Sequence, residues 1–195
     1  MNSTVVIMAK RPEWGRVKTR LASTIGNDRA LMLYRFLLQH TLNCAEGLDA
    51  AVYWTGDGPI PENGFRCCEQ SEGDLGHRML EAIRQEQNDR SGVVVIGTDC
   101  PGLDRRVLLQ AMQLLEQHDV VLGPTLDGGY YLIAMRHPIE ALFKNMPWST
   151  DRVFELALNR CRALGLAVAT LPMLSDVDTE EDMRMHPMLL EYLSK

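Results

Sequence analysis

The apolar run Val93–Gly97 constrains the fold of this chain more than any other segment. Four branched apolar residues follow one another without a polar break, and glycines bound them on both sides. A strand with apolar side chains on both faces suits a parallel sheet that is covered by helices on both sides. The run therefore predicts an α/β protein.

Strand and helix patterns alternate along the rest of the chain. Further strands are predicted from short apolar or β-branched runs at Thr4–Met8, Ala50–Trp54, Phe65–Glu69, Asp119–Gly123, Tyr130–Met135 and Ala167–Leu171. Helices are predicted from Asn27 or Asp28 through Leu42, from Asp74 to about Gln87, from Asp104 to about Gln117, over Thr150–Leu164 and after Thr179. Residues 9–27 have no clear apolar period and are predicted to form a long loop. The alternation indicates a three-layer α/β/α fold with a mostly parallel sheet and right-handed crossovers.

Size and composition indicate an ordinary cytoplasmic domain. At 195 residues and 22.0 kDa, residues 1–195 fit a single domain. The chain shows no apolar stretch of the length that a membrane span needs, and Val5–Ala9 is too short for a signal peptide. The five cysteines are odd in number and contain no C-x-x-C pair, which favours a reducing compartment.

Charge is unevenly distributed along the sequence. The formal net charge of −6 argues against a general nucleic-acid or membrane-surface binder. Residues 1–27 nevertheless contain one acid and five basic residues, namely Lys10, Arg11, Arg16, Lys18 and Arg20. This cluster is either chance surface charge or a local site for a polyanion the size of a diphosphate.

Ligands of open α/β sheets bind outside the carboxyl ends of the strands, and the unusual residues of this sequence follow those ends. In the loop after the first strand, Gly15 would let the backbone approach a ligand. Lys10, Arg16, Lys18 and Arg20 would supply charge-assisted bonds to phosphate oxygens. The loop matches neither the P-loop nor the dinucleotide-binding fingerprint. Its alternative interpretation is a solvated basic loop.

Two acidic segments are candidates for binding a divalent cation. Asp99 follows the strand Val93–Gly97, where a carboxylate is costly without a partner. Capping of the next helix suits Asp104 better, so Asp99 is interpreted as a ligand for Mg²⁺ or Mn²⁺. Farther along, Asp182 fits a capping box with Thr179. That role leaves Asp176 and Asp178 free to hold a second side of the cation.

The segment Gly123–Tyr131 has two interpretations. Gly128 and Gly129 would leave room for an acceptor or sugar beside Tyr130, and Asp127 would orient or deprotonate an acceptor hydroxyl. The alternative is a plain hairpin turn with Asp-Gly at its tip. Arg78 could reach a phosphate and Trp148 could stack on a sugar or base, but a structural role at helix starts is preferred for their segments.

Six motifs occur in a fixed order along the chain, from about Val6 to Asp182. They are A-K-R-P-x-x-G-x-V-K-T-R-L, G-D-L-G-x-R-M, G-T-D-C-P-G-L, D-V-V-L-G-P-x-x-D-G-G-Y-Y-L, P-W-S-T and D-V-D-T-x-E-D. Together they resemble the family of small GT-A-like nucleotide-diphospho-sugar transferases, also labelled selenodomain- or arsenosugar-associated glycosyltransferases (DUF2064).

This resemblance implies a GT-A fold, a nucleotide held by the first loop and a cation held by an acidic motif. Asp99 is placed where GT-A enzymes carry the aspartate of their D-x-D motif. The Asp-Cys-Pro sequence here offers one carboxylate, which makes Asp178 the expected second ligand. The pair of D-C-P and D-V-D-T is also similar to nucleotidyltransferases in which two acids hold Mg²⁺ between them.

Three functions remain open at this point. In glycosyl transfer from a nucleotide-diphosphate sugar to a small acceptor, the cation, Lys18 and Arg20 would stabilise the departing diphosphate, and Asp127 would activate the acceptor. In nucleotidyl transfer, the same groups would bind a triphosphate and pyrophosphate would leave. The basic loop favours this alternative, whereas the missing L-A-x-G-x-x-x-R-x-G loop argues against it. The third possibility is a non-catalytic nucleotide-binding protein.

Overall fold

The computed structural model describes residues 3–87 and 92–193. Within them, seven strands form one sheet in the order β3-β2-β1-β4-β6-β5-β7. The strands are β1 Thr4–Lys10, β2 Ala50–Thr55, β3 Arg66–Glu69, β4 Val93–Ile96, β5 Val120–Pro124, β6 Tyr130–Met135 and β7 Val168–Thr170. Only β6 runs antiparallel to its neighbours β4 and β5, and the other adjacent pairs among these described strands are parallel. The expected mostly parallel, mixed sheet is confirmed.

Strand β4 is buried on both faces, as its composition predicts. Val94 and Ile96 belong to the apolar core on one side of the sheet, and Val93 and Val95 belong to the core on the other. All four side chains are at most 2% exposed. A strand without a polar face is stable only between two layers of helices.

Helices cover both faces of the sheet and complete three layers. They are α1 Thr19–Ile25, α2 Asn27–Ala45, α3 Leu75–Glu86, α4 Arg105–Leu114, α5 Val153–Ala163, α6 Glu180–Arg184 and α7 Pro187–Leu193, with a 3₁₀ turn at Glu140–Leu142. Helices α2 and α4 pack into one core, and α3 and α5 pack into the other. Helices α1, α6 and α7 pack on the outer side of α2 in a third apolar cluster. None of the helices in the described ranges has both the length and the apolar character for crossing a membrane.

Three local predictions are corrected by the structure. The predicted long loop contains α1, whose seven residues bury only Leu21 and therefore leave too little apolar periodicity to detect. Helix α2 begins after Gly26 without a side-chain cap, so neither Asn27 nor Asp28 caps it. Helix α5 begins at Val153, because the hydroxyl of Thr150 bonds back to the Pro147 carbonyl in the preceding turn.

The other predicted caps are confirmed. Asp74 accepts the backbone N–H of His77, and Asp104 accepts that of Val107. Thr179 and Asp182 form a complete capping box at the start of α6. These side chains each satisfy helix N–H groups that have no partner within the helix.

Candidate functional site

A cleft of about 590 Å³ lies at the carboxyl ends of β1 and β4, beside the β5–β6 hairpin and the segment after β7. This is the edge of the sheet at which ligands were predicted to bind. The predicted site residues that line the cleft are Lys10, Lys18, Arg20, Arg78, Asp99, Asp127, Gly129, Tyr130, Trp148 and Asp178. Gly15, Arg16 and Gly128 are not among its lining residues.

The side chain of Lys18 is the centre of the charged end of the cleft. Its Nζ lies 2.5 Å from Asp99 Oδ1 and 3.1 Å from Asp178 Oδ1, and the side chain is only 3% exposed. It also donates to the carbonyl of Val177 at 2.7 Å. The two acids predicted to share a divalent cation therefore share the ammonium group of Lys18.

The charge of Lys18 is stabilised by its partners. Burial alone would lower the pKa of this amine, but the charges of Asp99 and Asp178 outweigh burial, so the pKa is raised. Lys18 also has a left-handed backbone, with φ 47° and ψ 43°, directly before α1. This conformation costs about 1 kcal/mol or more for a residue other than glycine, and such strain is commonly found at functional sites.

Tyr34 fixes the chain where β1 enters the first loop. Its hydroxyl accepts the backbone N–H of Lys10 at 2.8 Å and donates to the Lys10 carbonyl at 2.5 Å. Gln70 donates from Nε2 to the Ala9 carbonyl at 3.1 Å. Neither Tyr34 nor Gln70 was among the candidate site residues predicted from the sequence. The available signal was a tyrosine on an otherwise apolar helix face, because a buried hydroxyl needs a partner.

Glu13 is the single acid of the first loop and ties it to the loop after β2. Its Oε1 accepts the backbone N–H groups of Asp57 and Gly58, both at 2.8 Å. Gly15 adopts φ +72° within the turn that follows Glu13, and Arg16 donates its N–H to the Glu13 carbonyl at 3.2 Å. The glycine thus serves the turn of the loop, and Arg16 is exposed outside the cleft.

Asp176 adds a further carboxyl group to the cleft. Burial, reinforced by the charge of Asp99, raises the pKa of this group to about 7. Lys18 opposes the rise, while Asp127 and Asp178 add to it. At the charged end of the cleft, the carboxyl groups therefore carry more negative charge than Lys18 neutralises.

The segment around Asp127 is both a hairpin turn and part of the cleft. Asp127 Oδ1 accepts the hydroxyl of Thr125 at 2.5 Å and the N–H of Gly129 at 3.0 Å, which fixes the carboxylate. Gly128 adopts φ +86°, and a Cβ there would overlap the carbonyl oxygen of Asp151. The missing side chain of Gly128 makes room for the backbone before α5, while its contact with an acceptor or sugar stays a prediction.

Trp148 and Tyr130 form the aromatic wall of the cleft. Their rings meet edge to face, with centroids 6.3 Å apart and an interplanar angle of 82°. The indole also packs on Gly76, where a Cβ would lie 2.6 Å from the ring. Trp148 Nε1 and the Tyr130 hydroxyl are buried without a hydrogen-bond partner in the part of the chain that the structure describes.

The carboxylates of Asp99 and Asp178 suit a divalent cation whose other ligands come from a bound substrate. Across residues 3–87 and 92–193, no group of three or more His, Cys, Asp or Glu side chains could hold a metal ion by itself. Asp99 and Asp178 converge on one point, since both contact the same ammonium group. Mg²⁺ is usually held by one or two carboxylates together with substrate phosphates, and two convergent carboxylates fit that pattern.

Several solved structures share this fold over nearly the full length of the chain. A Desulfovibrio desulfuricans G20 protein, provisionally named a nucleotide-diphospho-sugar transferase, is 28% identical over 98% of each chain with a TM-score of 0.86. The 2-C-methyl-D-erythritol 4-phosphate cytidylyltransferase of Thermus thermophilus is 14% identical, covers 100% of this chain and 98% of its own, and gives a TM-score of 0.59.

A third similar structure is Rv0371c of Mycobacterium tuberculosis H37Rv in complex with manganese. It is 17% identical over 98% of this chain and 99% of its own, with a TM-score of 0.60. These likenesses confirm the nucleotide-diphospho-sugar transferase (GT-A) fold. No curated protein matches the chain.

A family model described as "Uncharacterized protein conserved in bacteria (DUF2064)" matches residues 31–150. The match covers more than half of the chain and includes Asp99, Asp127 and Trp148. It agrees with the motifs that first indicated the relationship. The chain belongs to the DUF2064 family.

Proposed function

We propose that this protein is a cytoplasmic glycosyltransferase that moves a sugar from a nucleotide-diphosphate sugar to a small acceptor with the help of Mg²⁺ or Mn²⁺. The observation that carries this proposal is one cleft with a charged end, where cationic side chains meet carboxylates, and an aromatic end that contains a further carboxylate. Lys10, Lys18 and Arg20 line the first, and Asp127 and Trp148 line the second. The name of the Desulfovibrio desulfuricans relative supports the same class of donor.

The charged end of the cleft suits a diphosphate leaving group. Arg20 is 69% exposed and lies 3.9 Å from Asp178, so its guanidinium is available to a phosphate at the mouth of the cleft. Lys10 lines the same wall from the end of β1. Cations placed where negative charge grows in the transition state favour departure of the diphosphate.

Asp99 and Asp178 are the residues that would hold the divalent cation, with phosphate oxygens completing its ligands. When bound, the cation supplies Lewis-acid stabilisation of the diphosphate. Burial is the main cause of the raised pKa of Asp176, and the neighbouring carboxylates of Asp99, Asp127 and Asp178 add to it. Such a group of carboxylates is the electrostatic environment that a cation favours.

The other end suits a sugar and an acceptor hydroxyl. Thr125 and the N–H of Gly129 hold the Asp127 carboxylate in one orientation, as is required of a group that positions a hydroxyl or takes its proton. The buried N–H of Trp148 and the hydroxyl of Tyr130 have no partner among the described residues. Because both polar atoms are buried, a sugar would contact the ring of Trp148 and not these groups.

Nucleotidyl transfer is the second candidate function. The observation that favours it is the number of cationic side chains that line the cleft, since Lys10, Lys18, Arg20 and Arg78 could each bind an oxygen of a triphosphate. In that reaction Lys18 and Arg20 would bind the departing pyrophosphate.

The product distinguishes the two reactions. The purified protein is incubated with nucleotide sugars or nucleoside triphosphates, Mn²⁺ or Mg²⁺ and a pool of small acceptors. Release of nucleoside diphosphate from one sugar donor is the expected result, whereas pyrophosphate release would identify a nucleotidyltransferase. Asp127→Asn should retain nucleotide binding and lose turnover. Neither product from any donor would contradict both functions.

A further inference from the structure

We propose that Lys18 is an internal counter-ion that competes with the divalent cation for Asp99 and Asp178. Metal alone is then bound weakly, and metal binding becomes strong when phosphate takes over the ammonium group of Lys18. The inference rests on the proposed function only in naming Asp99 and Asp178 as the metal ligands. It adds a coupling between metal and nucleotide that the fold alone does not imply.

The ammonium group of Lys18 occupies the space between the two carboxylates. Lys18 Nζ lies 2.5 Å from Asp99 Oδ1 and 3.1 Å from Asp178 Oδ1, so it uses one oxygen of each carboxylate. A divalent cation bridging the same oxygens would have to lie almost where the ammonium group lies. The two positive charges would also repel each other strongly at such a distance in a partly dehydrated site. One of them has to leave.

The ammonium group of Lys18 is firmly held. Besides the two carboxylates it has the carbonyl of Val177 at 2.7 Å, so each of its three N–H groups has an acceptor. With 3% of the side chain exposed, water does little to screen these contacts. A metal ion entering alone would have to break the contacts with both carboxylates and leave a buried ammonium with too few partners.

A phosphate can offset the loss of these carboxylate contacts. Arg20 lies 3.9 Å from Asp178 and is largely exposed, so a phosphate that binds Arg20 arrives next to Lys18. The ammonium group can then exchange carboxylate oxygens for phosphate oxygens and stay charged and hydrogen-bonded. The two carboxylates become available to the metal in the same step, which couples the two binding events.

The first experiment measures the binding of Mn²⁺ alone by electron paramagnetic resonance, without nucleotide. Lys18→Met removes the ammonium and keeps most of the side-chain volume. We expect this variant to bind Mn²⁺ at least about tenfold more tightly than the wild type, a change of about 1.4 kcal/mol.

The matched control is Lys10→Met, which removes the same charge from the same cleft. Lys10 lines the cleft, whereas the ammonium that contacts Asp99 and Asp178 is that of Lys18. Removal of Lys10 should therefore change Mn²⁺ affinity by less than about threefold. An equal gain of Mn²⁺ affinity in both variants would show that the change in net charge is its cause, and would overturn the proposal. Unchanged or weaker binding by Lys18→Met would overturn it as well.

A second measurement on the wild type covers the case in which Lys18→Met does not fold. Lysines are acetylated with a water-soluble active ester with and without millimolar Mn²⁺, and peptides are quantified by mass spectrometry. Lys18 should react slowly alone and several times faster with Mn²⁺, relative to the exposed Lys144. A Lys18 rate that does not respond to Mn²⁺ would contradict displacement.

Both measurements are independent of turnover. If Lys18→Met gained Mn²⁺ affinity and the wild type released no nucleoside diphosphate from any sugar donor, the counter-ion role would be upheld and glycosyl transfer rejected. If Lys18→Met gained no Mn²⁺ affinity and the wild type released nucleoside diphosphate, the counter-ion role would be rejected and glycosyl transfer upheld.

Discussion

Five carboxyl groups line the cleft, from Asp99, Asp127, Asp151, Asp176 and Asp178. Lys18 contacts Asp99 and Asp178 directly. Burial among these charges raises the pKa of Asp176 to about 7. A carboxyl group with a higher pKa in the folded state than in the unfolded chain opposes folding when it ionises.

The first prediction concerns the pH dependence of stability at Asp176. The folded state binds this proton more tightly than the unfolded chain, so its contribution to stability falls as pH rises from about 4 to about 7 and is constant above. Asp176→Asn should therefore raise the melting temperature most at pH 8 and progressively less toward pH 4. Thermal unfolding of both proteins in a chelating buffer over that pH range, from about 4 to about 8, measures this.

The control for this prediction is Asp57→Asn. Asp57 is an exposed acid outside the cleft, and its replacement should shift the melting temperature little at any pH. A benefit of Asp176→Asn that is as large at the acidic end of the range as at the alkaline end would show that ionisation of Asp176 is not its cause.

At the scale of residues, the sequence predicted which groups meet but not how they pair. Lys18, Asp99 and Asp178 each follow a strand, and the carboxyl ends of parallel strands lie at one edge of a sheet. That rule is sufficient to place them in one cleft. The contact of Lys18 with Asp178 spans 160 residues of sequence separation, and Lys18 makes it from a left-handed backbone. Neither feature has a local pattern.

At the scale of elements, two hydrogen-bonded contacts join segments of the cleft to helices that pack on the sheet. Tyr34 on α2 bonds both backbone groups of Lys10 at the end of β1. Across the cleft, the carbonyl of Gly128 in the β5–β6 hairpin accepts the N–H of Phe154 in α5 at 2.8 Å. Each contact joins a loop with cleft residues to a helix that packs on the sheet.

The second prediction tests the contact of Tyr34. Tyr34→Phe leaves the ring in the core and removes both hydrogen bonds, so the backbone groups of Lys10 lose their partner. We expect the free energy of unfolding to fall by about 1–3 kcal/mol, measured as a lower urea midpoint with an unchanged slope. The control is Tyr192→Phe, whose ring contact with Phe36 is kept. Equal losses in both variants would contradict a special role for Tyr34.

The third prediction tests the fit of the hairpin against the backbone before α5. Gly128→Ala places a Cβ against the carbonyl oxygen of Asp151 in a backbone with φ +86°. We expect a loss of at least about 2 kcal/mol in unfolding free energy, because steric overlap adds to the left-handed strain. Urea denaturation measures it.

Gly165→Ala separates strain from overlap. Gly165 has φ +67° with nothing within 4 Å of an added Cβ among the described residues, so this variant should lose about 1 kcal/mol from strain alone. If Gly128→Ala lost no more than Gly165→Ala, the close approach of Asp151 would have no energetic consequence.

Most strands were predictable from short apolar or β-branched runs bounded by turn residues. Every predicted strand is present, including β3 and β7, in which no residue is buried. Helix α1 was missed, since only Leu21 is buried in it. The position of β6 between β4 and β5 could not be predicted either, because strands that are buried on both faces have similar apolar sequences.

At the scale of the whole molecule, an acidic protein carries a cleft in which several cationic side chains lie among carboxylates. The net charge is −6, while Lys10, Lys18, Arg20 and Arg78 all line one cavity. The surrounding acids should repel polyanions that cannot enter the cleft and leave binding to ligands that fit it. Recognition of nucleotides should therefore depend on individual cleft cations more than on total charge.

The fourth prediction compares ligands by thermal shift. One nucleoside diphosphate, or its sugar, should stabilise the wild type with Mn²⁺ and only weakly without it. At about 100 times its dissociation constant, a ligand adds about 2.7 kcal/mol to the unfolding free energy. For a chain of this length that amounts to about 5–10 °C in melting temperature.

Two arginines of similar exposure show whether the cleft is responsible for that shift. Arg20 lines the cleft and is 69% exposed, whereas Arg184 lies in α6 outside it and is 68% exposed. Each arginine-to-glutamine change alters the total charge equally, but only Arg20→Gln removes a charge-assisted bond to phosphate. We expect Arg20→Gln to weaken binding about tenfold and Arg184→Gln to leave it unchanged. Equal weakening would mean that overall charge, and not the cleft, attracts the nucleotide.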